Sequence, residues 1–157
     1  MSSVIHSVIF SKVALSTIES QISEFGIIET GGILMGYLEH DVIYIDKASD
    51  PGPHAIHDQI YFRADANYID MFIDMESANS FGKNYYLGEW HTHPQVNPEP
   101  SEVDFNSLYE IASTSQEFAI LLIVGAIKFS KEKFQKQHLL ILKYKDDRRF
   151  FRLNTKY

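Results

Sequence analysis

The sequence contains no cysteine, which removes a disulfide framework, a cysteine nucleophile and every thiolate metal site. Chemistry in this chain falls to imidazoles, carboxylates and hydroxyls. No apolar run reaches the ~20 residues of a membrane span. The longest, Phe118 to Ile127, contains Gly125 and is followed by Lys128, so no membrane partner is expected. The stretch Met1 to Phe10 has no basic segment ahead of an apolar one, so no secretory signal is expected and the location expected is cytoplasmic. Basic residues are outnumbered. Fourteen Lys and Arg against 21 Asp and Glu give a formal charge of -7, which argues against nucleic acid as the main partner, because phosphate binding draws on Lys and Arg. A basic group near the end (Lys143, Lys145, Arg148, Arg149, Arg152) reads first as a solvated strand and turn.

What is present is the composition of one folded domain. The 157 residues, 45% hydrophobic and 22% charged, suit a single core spanning 1–157. There is no repeat, low-complexity tract or Gly/Ser linker to divide it. Val4 to Phe10 reads as a first strand. Leu15, Ile18, Ile22 and Phe25 recur at helical spacing, and Gly26 stops that helix. Ile33 to Tyr37 and Val42 to Ile45 form a hairpin turning near Glu39-His40-Asp41. Asp50 to His57 is a Pro/Gly loop, and Asp65 caps a second helix with Ile69, Phe72 and Ile73 inward and Asp70 and Asp74 outward. Tyr85 to Trp90 is a strand, and a third helix from Ser101 buries Phe105, Leu108, Tyr109 and Ala112. Phe118 to Val124, apolar on both faces, fits a central strand covered on both sides. Leu139 to Tyr144 and Arg149 to Leu153 close the sheet. The expected class is α/β, a mixed sheet flanked by helices on both sides.

The informative segment is Gly88-Glu-Trp-His-Thr-His-Pro, running on to Pro100-Ser-Glu-Val-Asp104. Residues two apart in a strand share a face, so His91 and His93 project together, a bidentate grip suited to zinc. Pro94 ends the strand, and Asp104 lies in the first turn of the next helix. Two imidazoles and one carboxylate would leave a fourth tetrahedral position open, as catalytic rather than structural sites do. Each piece alone has a plainer meaning. A His-x-His pair can simply decorate an exposed strand, Ser101-x-x-Asp104 can be a capping box, and Glu29 can be a surface carboxylate ahead of a turn. Trp90 reads first as core, with a wall of the substrate groove as its other reading, Thr92 faces away from the histidines, and Glu89 shares their face with either a supporting or a solvated role. His6, His40, His54, His57 and His138 lack ligand spacing with a partner carboxylate, though His54 and His57 lie in the Pro/Gly loop and could line a cleft.

Taken together, His91-Thr-His93-Pro94, ten residues from His93 to Asp104, and Ser101 three before that aspartate resemble the signature of the JAMM (JAB/MPN+) zinc metallopeptidases. Upstream, Glu29-Thr-Gly-Gly-Ile-Leu-Met-Gly resembles the family's other landmark, a glutamate before a Gly-rich strand. The resemblance implies a three-layer JAB/MPN fold like that of cytidine deaminases. It also implies one zinc per chain on His91, His93 and Asp104, with Glu29 and Ser101 as catalytic neighbours. In that scheme Glu29 is general base and then general acid, and Ser101 donates a hydrogen bond to the oxyanion, a contribution of about 3 kcal/mol.

Family members act largely on amide or isopeptide bonds at the C-terminal tail of ubiquitin or ubiquitin-like proteins. An edge of the Gly-rich hairpin after Glu29 could take such a tail by strand addition. The compact chain is similar to bacterial JAB deconjugases of CBASS anti-phage operons, which implies removal of a conjugated partner such as a cyclic-nucleotide synthase. Two other readings stay open: a small-substrate zinc hydrolase processing a sulfur-carrier protein or peptide, and a non-catalytic MPN interaction module.

Overall fold

The computed structural model describes residues 4–58, 62–115, 117–130, 132, 134 and 137–156. Strand β1 (Ser7–Phe10) leads into helix α1 (Lys12–Phe25), whose N-cap Ser11 accepts from the Ala14 N–H and whose C-cap Gly26 takes a positive φ of 59°. Strands β2 (Gly31–Glu39) and β3 (Val42–Ala48) form the hairpin, turning through His40 and Asp41, both at positive φ, as a two-residue turn between twisted strands requires. A two-residue pair follows inside the predicted loop and just after it, β4 (Ile56–His57) with β5 (Phe62–Arg63). Next come α2 (Ala66–Asn79), capped by Asp65, then β6 (Tyr85–His93), α3 (Glu102–Thr114), β7 (Phe118–Gly125) and β8 (His138–Tyr144). Two short strands end the chain, β9 (Phe150–Arg152) and β10 (Asn154–Lys156).

Eight strands make one mixed sheet in the order β10-β1-β3-β2-β6-β7-β8-β9. Strand β7, buried at every position, divides the core in two. Its Ile120, Leu122 and Val124 join Ala14, Ile18 and Ile22 of α1 on one face. Ala119, Leu121 and Ile123 meet Leu108 and Ala112 of α3 on the other. Helices therefore cover both faces of a mixed sheet, the architecture expected from the sequence.

Three details differ from that reading. The strands at the two ends of the order, β9 and β10, are consecutive in the chain and separated only by Leu153, so the sheet curls until its edges meet. Tyr144 on β8 accepts a hydrogen bond from the Ile5 N–H at 3.0 Å across that closure. Strand β2 is hydrogen-bonded to β3 on one side and β6 on the other, so the Gly-rich hairpin offers no edge there for strand addition. Tyr109 on α3 is 58% exposed, while Lys143 of the basic group is buried, its ammonium donating to the Tyr144 carbonyl at 2.7 Å and lying over the Tyr109 ring. Helix α2 has no fully buried side chain. Its Ile69, Phe72 and Ile73 are half-buried and Asp70 and Asp74 exposed, as its periodicity predicts.

The closure contains a buried histidine. His138 on β8 stacks on Phe134 with ring centroids 4.3 Å apart. Its Nδ1 bonds the Phe134 carbonyl, an acceptor only, so Nδ1 carries the hydrogen and Nε2 accepts from the Thr155 hydroxyl of β10 at 3.1 Å. Burial lowers its pKa, the bond to Phe134 opposes that, and the charge of Arg152 adds to the lowering. In the unfolded chain a histidine takes up its proton near pH ~6.5. The folded state resists that proton, so stability is full above this pH and falls as the pH drops below it. Between pH 7.5 and 5.5, thermal unfolding should lose more of its midpoint in the parent than in His138→Gln; equal losses would remove His138 from the account.

Candidate metal centre

The site is assembled by β6, the loop after it and the first turn of α3. Along β6, Trp90 and Thr92 are each 1% exposed and turn into the core. His91 and His93 turn to the opposite face, as strand alternation requires. Trp90 is fixed there by its indole N–H, which donates to the Ser49 carbonyl at 3.0 Å. Beyond His93 the chain reverses and is tied back to β7, the Ala126 N–H donating to the His93 carbonyl at 2.9 Å. Ser101 then starts α3, and the packing of Leu108 and Ala112 under β7 and β8 sets that helix's direction.

The turn of α3 brings Asp104 onto the two imidazoles. Nε2 of His91 lies 3.0 Å from Asp104 Oδ1, Nε2 of His93 lies 3.3 Å from Oδ2, and the two Nε2 atoms are 3.2 Å apart. The three side chains are only 17%, 13% and 9% exposed, so one side faces solvent and the rest is lined by protein. Among the described residues this is the group of at least three His, Asp, Glu or Cys side chains whose ligand atoms, here within 4.8 Å of one another, could hold a metal ion. Two nitrogens and a carboxylate form a donor set that suits zinc chemically.

The capping box is formed as well. The Ser101 hydroxyl oxygen accepts from the Asp104 N–H at 3.1 Å, and Asp104 Oδ2 accepts from the Ser101 N–H at 2.7 Å. The capping box and the candidate metal group therefore share Asp104. Because the Ser101 oxygen is the acceptor in that bond, its hydroxyl hydrogen stays available for a ligand. The helix N-terminus also favours the negative charge of Asp104. Burial alone would raise its pKa, but hydrogen bonds from His91 and His93, the charge of His91 and the Ser101 N–H hold the carboxyl well below the usual range. Burial works against a charged His93, yet the bond and charge of Asp104, with Glu29 adding, raise its pKa.

Glu29 reaches the site from the short segment that leads into β2, the strand beside β6. Gly31 pairs with His91 in the antiparallel register; the Thr92 N–H donates to the Thr30 carbonyl and the Thr30 N–H to the Thr92 hydroxyl. Continuing that register sets Glu29 opposite His93, on the same outer face. A Cβ on Gly31 would lie 2.2 Å from the Trp90 carbonyl oxygen and 2.9 Å from the His91 Cβ. Only glycine lets the start of β2, just after Glu29, approach so closely. Burial raises the pKa of Glu29, His91 and His93 pull it down, and Asp104 and Asp58 push it up again. Glu89, half-buried on the face of His91, is also raised by burial.

Some neighbours carried no sequence signal. Thr30, fully buried, donates its hydroxyl to Gln21 of α1 at 3.0 Å and its N–H to Thr92 Oγ1 at 3.0 Å. His57 bonds the Glu29 carbonyl, whereas His54 is exposed and its backbone N–H donates to the Asp65 carboxylate.

Residues 12–153 match the family described as prokaryotic homologs of the JAB domain. The chain is 30% identical over 120 residues to a protein of Escherichia coli named CD-NTase/cGAS isopeptidase, covering 76% of each chain. It is 37% identical over 86 residues to a probable metalloprotease of Sinorhizobium fredii, covering 54% of this chain and 52% of that one. In fold it is similar to the solution structure of protein DSY2949 of Desulfitobacterium hafniense, with a TM-score of 0.63 at 15% identity over 95% of this chain and 91% of that one. A match over nearly the whole chain, on a fold that turns two histidines of one strand toward the aspartate of the next helix, shows that this protein belongs to the prokaryotic JAB-domain family.

Proposed function

We propose that the protein is a zinc-dependent isopeptidase that hydrolyses the amide or isopeptide bond at the C-terminal tail of a ubiquitin-like or otherwise conjugated protein. The observation that carries this reading is the convergence of His91, His93 and Asp104 on one point, with Glu29 on the same outer face. The name of the Escherichia coli relative supports a conjugated cyclic-nucleotide synthase as the released partner, and hence a role in anti-phage defence.

His91, His93 and Asp104 would hold the zinc, one per chain. When bound, zinc supplies Lewis acidity and lowers the pKa of water from 15.7 toward ~7. Glu29 would receive the proton of the attacking water at its carboxylate and pass it to the leaving amine. Ser101 turns its free hydroxyl hydrogen to the substrate oxygen as negative charge develops there. Asp104 orients Ser101 through the capping box while serving as a ligand.

The test is substrate choice. The zinc-loaded chain should release the partner from a fusion through the C-terminal tail of a conjugated synthase, and a chelator should stop the reaction. Hydrolysis of short peptides with no action on the fusion would favour the small-substrate hydrolase. Absence of zinc together with absence of metal-dependent cleavage would favour the interaction module.

A further inference from the structure

We infer that His57 is a positioning residue that fixes the peptide unit carrying Glu29, and so aims the Glu29 carboxylate at the metal centre. This rests on the isopeptidase reading for its catalytic consequence, but its geometry stands apart from it. The peptide between Glu29 and Thr30 is held from both sides. Its carbonyl accepts from Nδ1 of His57 at 3.0 Å, and its N–H donates to the Thr92 hydroxyl at 3.0 Å. Thr92 lies between His91 and His93 in sequence, so one end of this clamp is built into the strand of the metal ligands. The preceding peptide is held too, the Glu29 N–H donating to the Asp58 carbonyl at 3.0 Å.

A carbonyl oxygen can only accept, so the bond to Glu29 requires the hydrogen on Nδ1 of His57. The ring is held for that purpose. It stacks on Phe25 of α1 with centroids 3.9 Å apart and planes 12° from parallel, and Phe62 of β5 flanks it at 5.7 Å. The short β4–β5 pair thus carries His57 to the one segment of backbone that links Glu29 to the ligand strand. Without the imidazole N–H, the peptide unit between Glu29 and Thr30 loses one of its anchors. Glu29 precedes β2 rather than lying within it, so the ladder bonds of β2 do not replace that anchor. Positional errors of about 1 Å at a reacting group can cost 10²-fold in rate.

Two variants separate the donor from the stack. His57→Phe keeps an aromatic ring on Phe25 and removes the N–H. His57→Asn removes the ring and keeps a side-chain N–H near the position of Nδ1. The zinc-loaded full chain is measured for zinc content, for kcat and KM on the conjugate, and by hydrogen exchange at the Thr30 amide. Expected for His57→Phe are unchanged zinc content, unchanged KM, a kcat lower by about 10- to 100-fold and faster exchange at Thr30. His57→Asn should restore most of both kcat and protection. Unchanged kcat and exchange in His57→Phe would overturn the inference, as would an Asn variant no better than Phe. If the parent itself shows no metal-dependent hydrolysis, the isopeptidase reading is what fails, and Thr30 exchange in the same three proteins then decides the clamp alone.

Discussion

Glu29→Gln should keep its zinc and lose about 10²- to 10⁴-fold in kcat, the range that general acid–base groups contribute. Glutamine preserves the size of the side chain and its capacity to hydrogen-bond, and removes the basicity. The fold has little reason to object. Glu29 is half-buried and burial raises its pKa, so an uncharged side chain of the same size adds no desolvation cost. The bonds that hold this segment, from His57, Asp58 and Thr92, all use Glu29 and Thr30 backbone atoms and survive the substitution. Zinc stoichiometry and turnover measured on one preparation check the outcome. A kcat within tenfold of the parent, with metal in place, would assign the proton transfers to another group.

Asp104→Asn should lower zinc affinity by more than the 10- to 100-fold that loss of an outer-shell partner costs, and activity should fall with occupancy. The choice of asparagine matters because Asp104 has two duties. Its Oδ2 completes the capping box with the Ser101 N–H, and truncation to alanine would also remove that half of the box. Asparagine can still accept that bond, so a drop in metal content is then attributable to ligation. Direct metal titration gives the answer, and full occupancy in Asp104→Asn would refute the assignment of this ligand. The pH dependence should follow. Asp104 and Glu29 raise the pKa of His93 against the effect of burial, and an imidazole must shed its proton to bind metal. Affinity should therefore weaken as the pH falls through that raised value, and should do so less steeply in His93→Ala, whose remaining affinity is already low.

The candidate site was legible in the sequence to the extent that local geometry decides it. Strand alternation places His91 and His93 on one face whatever the rest of the chain does, and Ser101-x-x-Asp104 forms its capping box from local bonds alone. The same holds for the N-cap at Asp65, the stop at Gly26 and the burial of β7 on both faces. What escaped depends on contacts between residues far apart in the chain. Nothing in Asn154-Thr-Lys156 signals a strand, and β10 exists because the curled sheet brings β1 alongside it. Gln21 reads as one more polar residue on α1, yet it ends a buried chain through Thr30 to Thr92. Tyr109 fits the helical period of α3 but falls beyond the sheet it would pack against, so it is exposed. Lys143, counted with a solvated basic group, is buried because β8 lies under α3 and its ammonium can reach the Tyr144 carbonyl. His57 reads in the sequence only as a loop residue that could line a cleft. Its bond to the Glu29 carbonyl needs the β4–β5 pair, which the proline and glycine punctuation of residues 51–53 had masked as irregular chain.

X-ray absorption at the zinc edge, on chain purified with its metal, addresses the whole account most directly. The expected spectrum shows one zinc per chain, bound by two imidazole nitrogens at about 2.0–2.1 Å and by oxygens at about 2.0–2.2 Å, with the imidazole signal lost from a His91→Ala, His93→Ala double variant. A protein that takes up no zinc, or one whose zinc keeps both imidazoles in that double variant, would contradict it.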